Sequence, residues 1–345
     1  MKNKQFNYII IFFSLVSIFF ILTEGTKTYA EEKSLQGAYT IAMVPNKNQL
    51  VSNQGYYFLH EQPNASDIIK VKIINNSNED EKINIKVVDA NTNKNGIIDY
   101  TGTISNLPLL KHPLTSMVTA ETPTIIVPKN SEKIIKLKIK MPTQRLDGVT
   151  VGAVVVTQEP KKEKASQLTI QNLYNYSLGI VLSNQTDATL YKNKSVELYK
   201  VRPTLSNGHK VVQADICNPN PYIFHEADII GKVYKDKKLI VQNEKNNVSI
   251  APYSIFPFEL DWKKRELTSG QYTLKVDVLT KERNWHFERN FIIKNAEAKK
   301  INKGAAIKIF IPRYVKILGM LLLVITILGT VYVVIRYTRR DQKEK

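Results

Sequence analysis

The chain has 345 residues, with 49 Lys or Arg against 31 Asp or Glu and a formal net charge of +18 at pH 7. Its single cysteine, Cys217, excludes an internal disulfide framework, so the fold must rest on core burial. The charge favours anionic partners, and the lack of any nucleic-acid recognition motif argues against DNA or RNA.

In chain order, Met1-Lys2-Asn3-Lys4, an apolar run from Tyr8 to Leu22, and Thr28-Tyr29-Ala30 read as a signal peptide over residues 1–30, cleaved after Ala30. Residues 31–160 then show strand periodicity. Ile69, Val71 and Ile73 alternate with Lys70 and Lys72, and Ile83, Ile85 and Val87 alternate with Asn84 and Lys86. Ile135, Leu137, Ile139 and Met141 alternate with Lys136, Lys138 and Lys140. A period of two puts the apolar set on one face and the lysines in water. The run Val151 to Val156 is apolar throughout and predicts a strand covered on both faces. Turn clusters at Asn75-Asn76-Ser77-Asn78, Asn91 to Gly96 and Pro128-Lys129-Asn130 separate these strands.

The charged stretch around Gln158 to Ser166 predicts a boundary loop, with the linker placed at 161–170. Strands resume over 171–295, where Leu178, Ile180 and Leu182 open a second set. Val211 to Ile216, Ile229 to Tyr234, Tyr272 to Val278, and Trp285 with Phe287 continue it. The expected fold class is therefore all-β: two tandem immunoglobulin-like β-sandwich domains plus one C-terminal transmembrane α-helix. No amphipathic helix of more than two turns is expected between residues 31 and 300. Residues 296–314, rich in Lys and Ala, read as a juxtamembrane stalk. Ile317 to Ile335 holds no charged side chain, which predicts a transmembrane helix over 315–336. Arg336 closes that span, and Arg339 and Arg340 follow in a basic cytoplasmic tail, 337–345. The expected location is the cell membrane, single-pass, with both sandwiches outside. No Leu-Pro-x-Thr-Gly motif and no cysteine near residue 30 offers another anchor.

Catalytic signatures are missing. His60, His112, His209, His225 and His286 show no metal-ligand spacing, and no nucleophile elbow or phosphate loop occurs. No enzyme activity, catalytic residue or cofactor is expected. Asn91, Asn93, Asn95 and Asp99 resemble half of a calcium loop, but the first three ligand positions lack acids and the twelfth is Gly102. The plainer reading is a hairpin whose Asn and Gly residues accept left-handed dihedrals. Ala251 to Trp262 and Asn284 to Phe287 carry aromatics that could line a partner groove, although Phe258, Leu260, Trp285 and Phe287 read first as core. The lysine rows could grip an anionic polymer or only keep the strands soluble.

Several segments together resemble the WxL-interacting proteins of Gram-positive bacteria. In the first half these are Asn53-Gln54-Gly55-Tyr56-Tyr57, Asn91 to Tyr100, and Met141-Pro142 with Asp147-Gly148. In the second half they are Tyr174-Asn175-Tyr176, Asn218-Pro219-Asn220-Pro221, Ser249 to Ser254, Gly270-Gln271-Tyr272, and Trp285-His286-Phe287 before Phe291. The resemblance implies a peptidoglycan-binding domain followed by a host-binding domain, acting beside WxL proteins, with no residue roles to transfer. The expected function is a membrane-anchored surface adaptor for WxL proteins and peptidoglycan or an anionic wall polymer. The rival readings are an adhesin for host extracellular matrix proteins through the second domain, and a wall hydrolase with an unrecognised site.

Overall fold

The structure, a computed structural model, describes residues 38–160, 174–306 and 313–341. The expected signal peptide and the 161–170 linker lie outside the described residues. Strands β1 (Tyr39–Met43), β2 (Tyr57–His60), β3 (Ser66–Asn75), β4 (Glu81–Asp89), β5 (Asn91–Thr92) and β6 (Ile98–Asp99) come first. Helix α1 (Leu114–Met117) and β7 (Val118–Ala120), β8 (Thr124–Val127), β9 (Ser131–Lys140), β10 (Val149–Gln158) and β11 (Asn175–Ser183) follow. One sheet runs β1-β3-β9-β7 and the facing sheet β2-β11-β10-β4-β8, with β5 and β6 a separate hairpin. The alternation read in the sequence fills the space between the sheets. Ile69, Val71, Ile73, Leu137 and Ile139 meet Ile83, Ile85, Val154 and Val156 in one core.

The second sandwich comprises β12 (Glu197–Ser206), β13 (His209–Asn218), β14 (Phe224–Lys235), β15 (Lys238–Ile250), β16 (Ser254–Asp261), β17 (Gly270–Leu279) and β18 (Asn284–Ile293). Its sheets run β12-β13-β16 and β15-β14-β17-β18. Val212, Ala214, Ile216, Phe256, Phe258 and Leu260 pack against Ile229, Val233, Leu274, Val276 and Val278. Gly231 lies under Phe258, where a Cβ would come 2.5 Å from the ring.

Three expectations need correction. First, β11 does not open the second sandwich. It pairs antiparallel with β10 and parallel with β2, and its Leu178, Ile180 and Leu182 enter the first core. The charged stretch after Gln158 therefore connects neighbouring strands of one sheet. Second, residues 295–304 form helix α2 (Asn295–Gly304) rather than a stalk. Its Ala298 and Ile301 are buried in the second core, and Asn302 bonds both the N–H and the carbonyl of Leu267 at 3.0 and 2.8 Å. Positions 298, 301 and 302 share one face of nearly three helical turns, the spacing a docked helix requires. Third, among the described residues no helix is long and apolar enough to cross a membrane. The last helix, α3 (Arg313–Asp341), occupies the expected span and does not meet that condition. The expected transmembrane helix at 315–336, and the single-pass cell-membrane placement built on it, therefore do not stand.

Candidate functional site at the domain junction

The outer face of the β2-β11-β10 sheet is where the sandwiches meet. Alternate residues of these strands leave the first core and enter a junction cluster: Phe58 beside Tyr57 and Leu59, Val181 between Ile180 and Leu182, and Val149 and Val151 on β10. Leu190, Ile223 and Ala251 of the second sandwich cover them. This is why the β10 run is apolar on both faces. The seam is also hydrogen-bonded. The buried Thr92 hydroxyl lies 2.8 Å from the Ser254 hydroxyl and accepts the Ala251 N–H at 2.9 Å. Ser249 donates its N–H to Gly96 O at 2.8 Å, and Val149 donates to Pro221 O at 3.0 Å. Close approach depends on two glycines. A Cβ on Gly148 would lie 2.8 Å from Pro221 O, and one on Gly96, at φ +74°, would lie 2.8 Å from Val248. Residues from five of the segments that carried the family resemblance (Tyr56, Thr92 and Ile98, Gly148, Pro221, and Ala251 with Ser254) thus converge on one seam. Tyr100 belongs to it too, its hydroxyl pushed up to about 12 by burial and then by Tyr191 and Tyr56.

The two sandwiches share a corner built on asparagine. In the first, buried Asn75 donates to Glu79 O, Val127 O and Pro128 O at 2.8, 3.0 and 3.0 Å. In the second, fully buried Asn218 donates to Tyr222 O, Ile250 O and Ala251 O at 2.7, 3.1 and 3.1 Å. Each corner holds a proline-containing turn that enters the next strand at a serine, Ser131 or Ser254. The residue before that serine is left-handed in both: Asn130 at φ 49° and Tyr253 at φ 53°. Asparagine accepts this conformation readily, whereas a bulky aromatic there is an outlier of the kind that costs about 1–3 kcal/mol. In the sequence Tyr253 is only one aromatic in the run Ala251 to Trp262. The signal that would have marked it is the correspondence between Pro128-Lys129-Asn130-Ser131 and Pro252-Tyr253-Ser254.

Tyr253 lines a cleft of about 410 Å³ between the sandwiches, with Lys111, His112, Arg145, Asp147 and Pro221 around it. Lys111, Arg145 and Asp147 are exposed, and among the described residues none has a hydrogen-bonded or ion-paired side chain. Burial raises the Tyr253 phenol above its ordinary range, and the nearby Asp147 carboxylate adds to the shift.

Asn91 donates to Ile104 O and to Asn106 Oδ1 at 3.1 and 2.9 Å. Asn93 Oδ1 accepts from the Asn95 and Ile97 N–H groups, and Asp99 Oδ1 from Thr101. These bonds build the β5–β6 hairpin and its flank, so the loop's oxygens serve turn geometry. Among the described residues no three His, Cys, Asp or Glu side chains come together as a metal site. Phe258 and Leu260 are fully buried, while Trp285 and Phe287 are only half-buried on edge strand β18. On the outer face of β3 and β9, Lys70 stands directly opposite Lys136, while Lys72 and Lys138 pair with Glu132 and Glu121 at 3.0 and 3.2 Å. Cys217 is buried, its thiol pushed up to about 11, first by burial and then by Glu197. It stays protonated at pH 8. Iodoacetamide at that pH is expected to leave it unmodified in the folded protein and to alkylate it fully in 6 M guanidinium, as intact-mass measurement will read.

Family models match the chain in tandem. One, described as WxL Interacting Protein, peptidoglycan binding domain, matches residues 39–158. The other, described as WxL Interacting Protein, host binding domain, matches residues 165–303. No curated protein matches. Similar solved structures include the Pseudomonas aeruginosa CupB2 chaperone, 10% identical over 69% of this chain and 99% of its own, at TM-score 0.28. The E. coli chaperone DraB is 14% identical over 68% of this chain and 95% of its own, also at 0.28. At such scores the likeness carries no argument.

Proposed function

This chain belongs to the WxL-interacting protein family, and we propose that it is a non-enzymatic adaptor at the cell surface, holding peptidoglycan and a WxL protein at the same time. The observation that carries this reading is the junction. Two binding modules linked by a flexible tether would bind independently. Here Thr92, Ser254 and the Phe58–Val151–Ile223 cluster are buried between them. Opening the seam would expose that apolar surface and unpair buried hydroxyls. Ligands on the two modules are then held at a fixed separation. The test is co-sedimentation of the full chain with purified sacculi, with and without a WxL protein from the same organism. Recovery of all three in one pellet is expected. Recovery of the chain with neither partner overturns the adaptor.

A second reading follows from the match of residues 165–303 to a host-binding module. In it the second sandwich also captures a host extracellular matrix protein. Retention on immobilised matrix proteins at physiological salt would support it, and loss of retention between low and physiological salt would reduce it to non-specific charge attraction.

A further inference from the structure

We propose that the cleft between the sandwiches binds a short zwitterionic peptide, the chemical class of the peptide stems of peptidoglycan; this rests on the peptidoglycan-binding reading above. The cleft has the size and position of a small-ligand site. Its volume of about 410 Å³ falls within the range such sites occupy, and domain interfaces are a preferred place for them. Its charges are uncommitted. Lys111 and Arg145 stand ready for a carboxylate, which a guanidinium grips through two parallel hydrogen bonds. Asp147 stands ready for an ammonium group.

The aromatic wall points the same way. The first sandwich places asparagine at the left-handed position before its strand-opening serine, but the second places Tyr253 there. That substitution strains the backbone and delivers a phenol ring into the cleft, a flat surface on which a peptide plane can lie. Leu109, exposed on the opposite strand-free loop, adds an apolar wall suited to small aliphatic side chains. A bare glycan strand carries no ammonium group to pair with Asp147, so the peptide is the occupant the lining favours.

The experiment is competition against the full chain bound to fluorescent sacculi. The competitors are a synthetic tetrapeptide with a free carboxylate and a lysine amine, the same peptide amidated at its carboxylates, and peptide-free glycan strands. The free peptide is expected to displace the protein; the amidated peptide and the glycan strands are not. Replacing both cations, Lys111→Gln with Arg145→Gln, should weaken binding at least about tenfold, the effect of losing one charge-assisted hydrogen bond. Tyr253→Asn should weaken binding similarly while raising the melting temperature, because the strained position is relieved. That opposite movement separates a ligand contact from a structural residue. Displacement by peptide-free glycan as effective as by peptide overturns the inference alone, as does unchanged binding of both variants. Failure of the unmodified chain to bind sacculi overturns the peptidoglycan reading, and the inference with it.

Discussion

A chain ending at residue 160 will show no cooperative unfolding transition, whereas one ending at residue 186 will show a sharp one. The reason is β11, which lies beyond the end of the first family match at residue 158 yet completes the first sandwich. Without it, β10 and β2 each lose their partner along one edge. Leu178, Ile180 and Leu182 leave the core, at about 1.5–3 kcal/mol each, or about 5–9 kcal/mol together. Domain stabilities are only about 5–15 kcal/mol, so the loss is comparable to the whole. The stretch to residue 186 also restores Asn184, which accepts the Leu146 N–H at 2.5 Å and donates to Glu61 O at 2.6 Å. Urea denaturation followed by circular dichroism on residues 38–160 and 38–186 will decide it. Equal, sharp transitions in both would mean that β11 contributes little. By the same argument, residues 187–306 should fold without β11, because the second core draws nothing from it.

Asn218→Ala will destabilise the second sandwich by about 3–5 kcal/mol, among the largest effects a single polar substitution can have. One side-chain amide satisfies the carbonyls of Tyr222, Ile250 and Ala251, and its oxygen accepts from the N–H and the side chain of Asn220. Alanine would take this partner from the buried Ile250 and Ala251 carbonyls and the Asn220 N–H, each at about 1–3 kcal/mol before any water enters, while the Asn220 side chain keeps its bonds to Ser195. The consequence reaches the cleft, since the carbonyls lie in the turns that carry Pro221 and Tyr253. Asn75→Ala is the internal comparison. It removes the matching corner of the first sandwich and should cost a similar amount with no effect on Tyr253. Chemical denaturation of the full chain measures both. A loss below about 1 kcal/mol at Asn218, the ordinary size of one net hydrogen bond, would show that the corner is dispensable.

Much of the fold is local and therefore legible. Ile69-Lys70-Val71-Lys72-Ile73 can satisfy only a half-buried strand, because one register puts every isoleucine and valine inside and every lysine in water. The pattern does not say which sheet a strand joins. The alternating apolar residues of Leu178, Ile180 and Leu182 would suit either sandwich, and the charged stretch before them mimics a domain boundary. Helix α2 was hidden for the opposite reason. Its Lys-rich surface outnumbers the few positions, Ala298, Ile301 and Asn302, that touch the core, so composition pointed to a solvated stalk.

What the sequence determined by itself was the all-β character of the two sandwiches and the inward faces of their longer strands, because side-chain alternation is a property of neighbouring residues. Tertiary structure alone decided the partner of β11, the docking of α2, and the meeting of Lys111, Arg145, Asp147 and Tyr253 in one cleft. The three segments that carry them, around residues 111, 146 and 253, lie far apart in the chain, and long-range burial brings them together. Even the unusual backbone of Tyr253 becomes visible only when the second asparagine corner is laid beside the first.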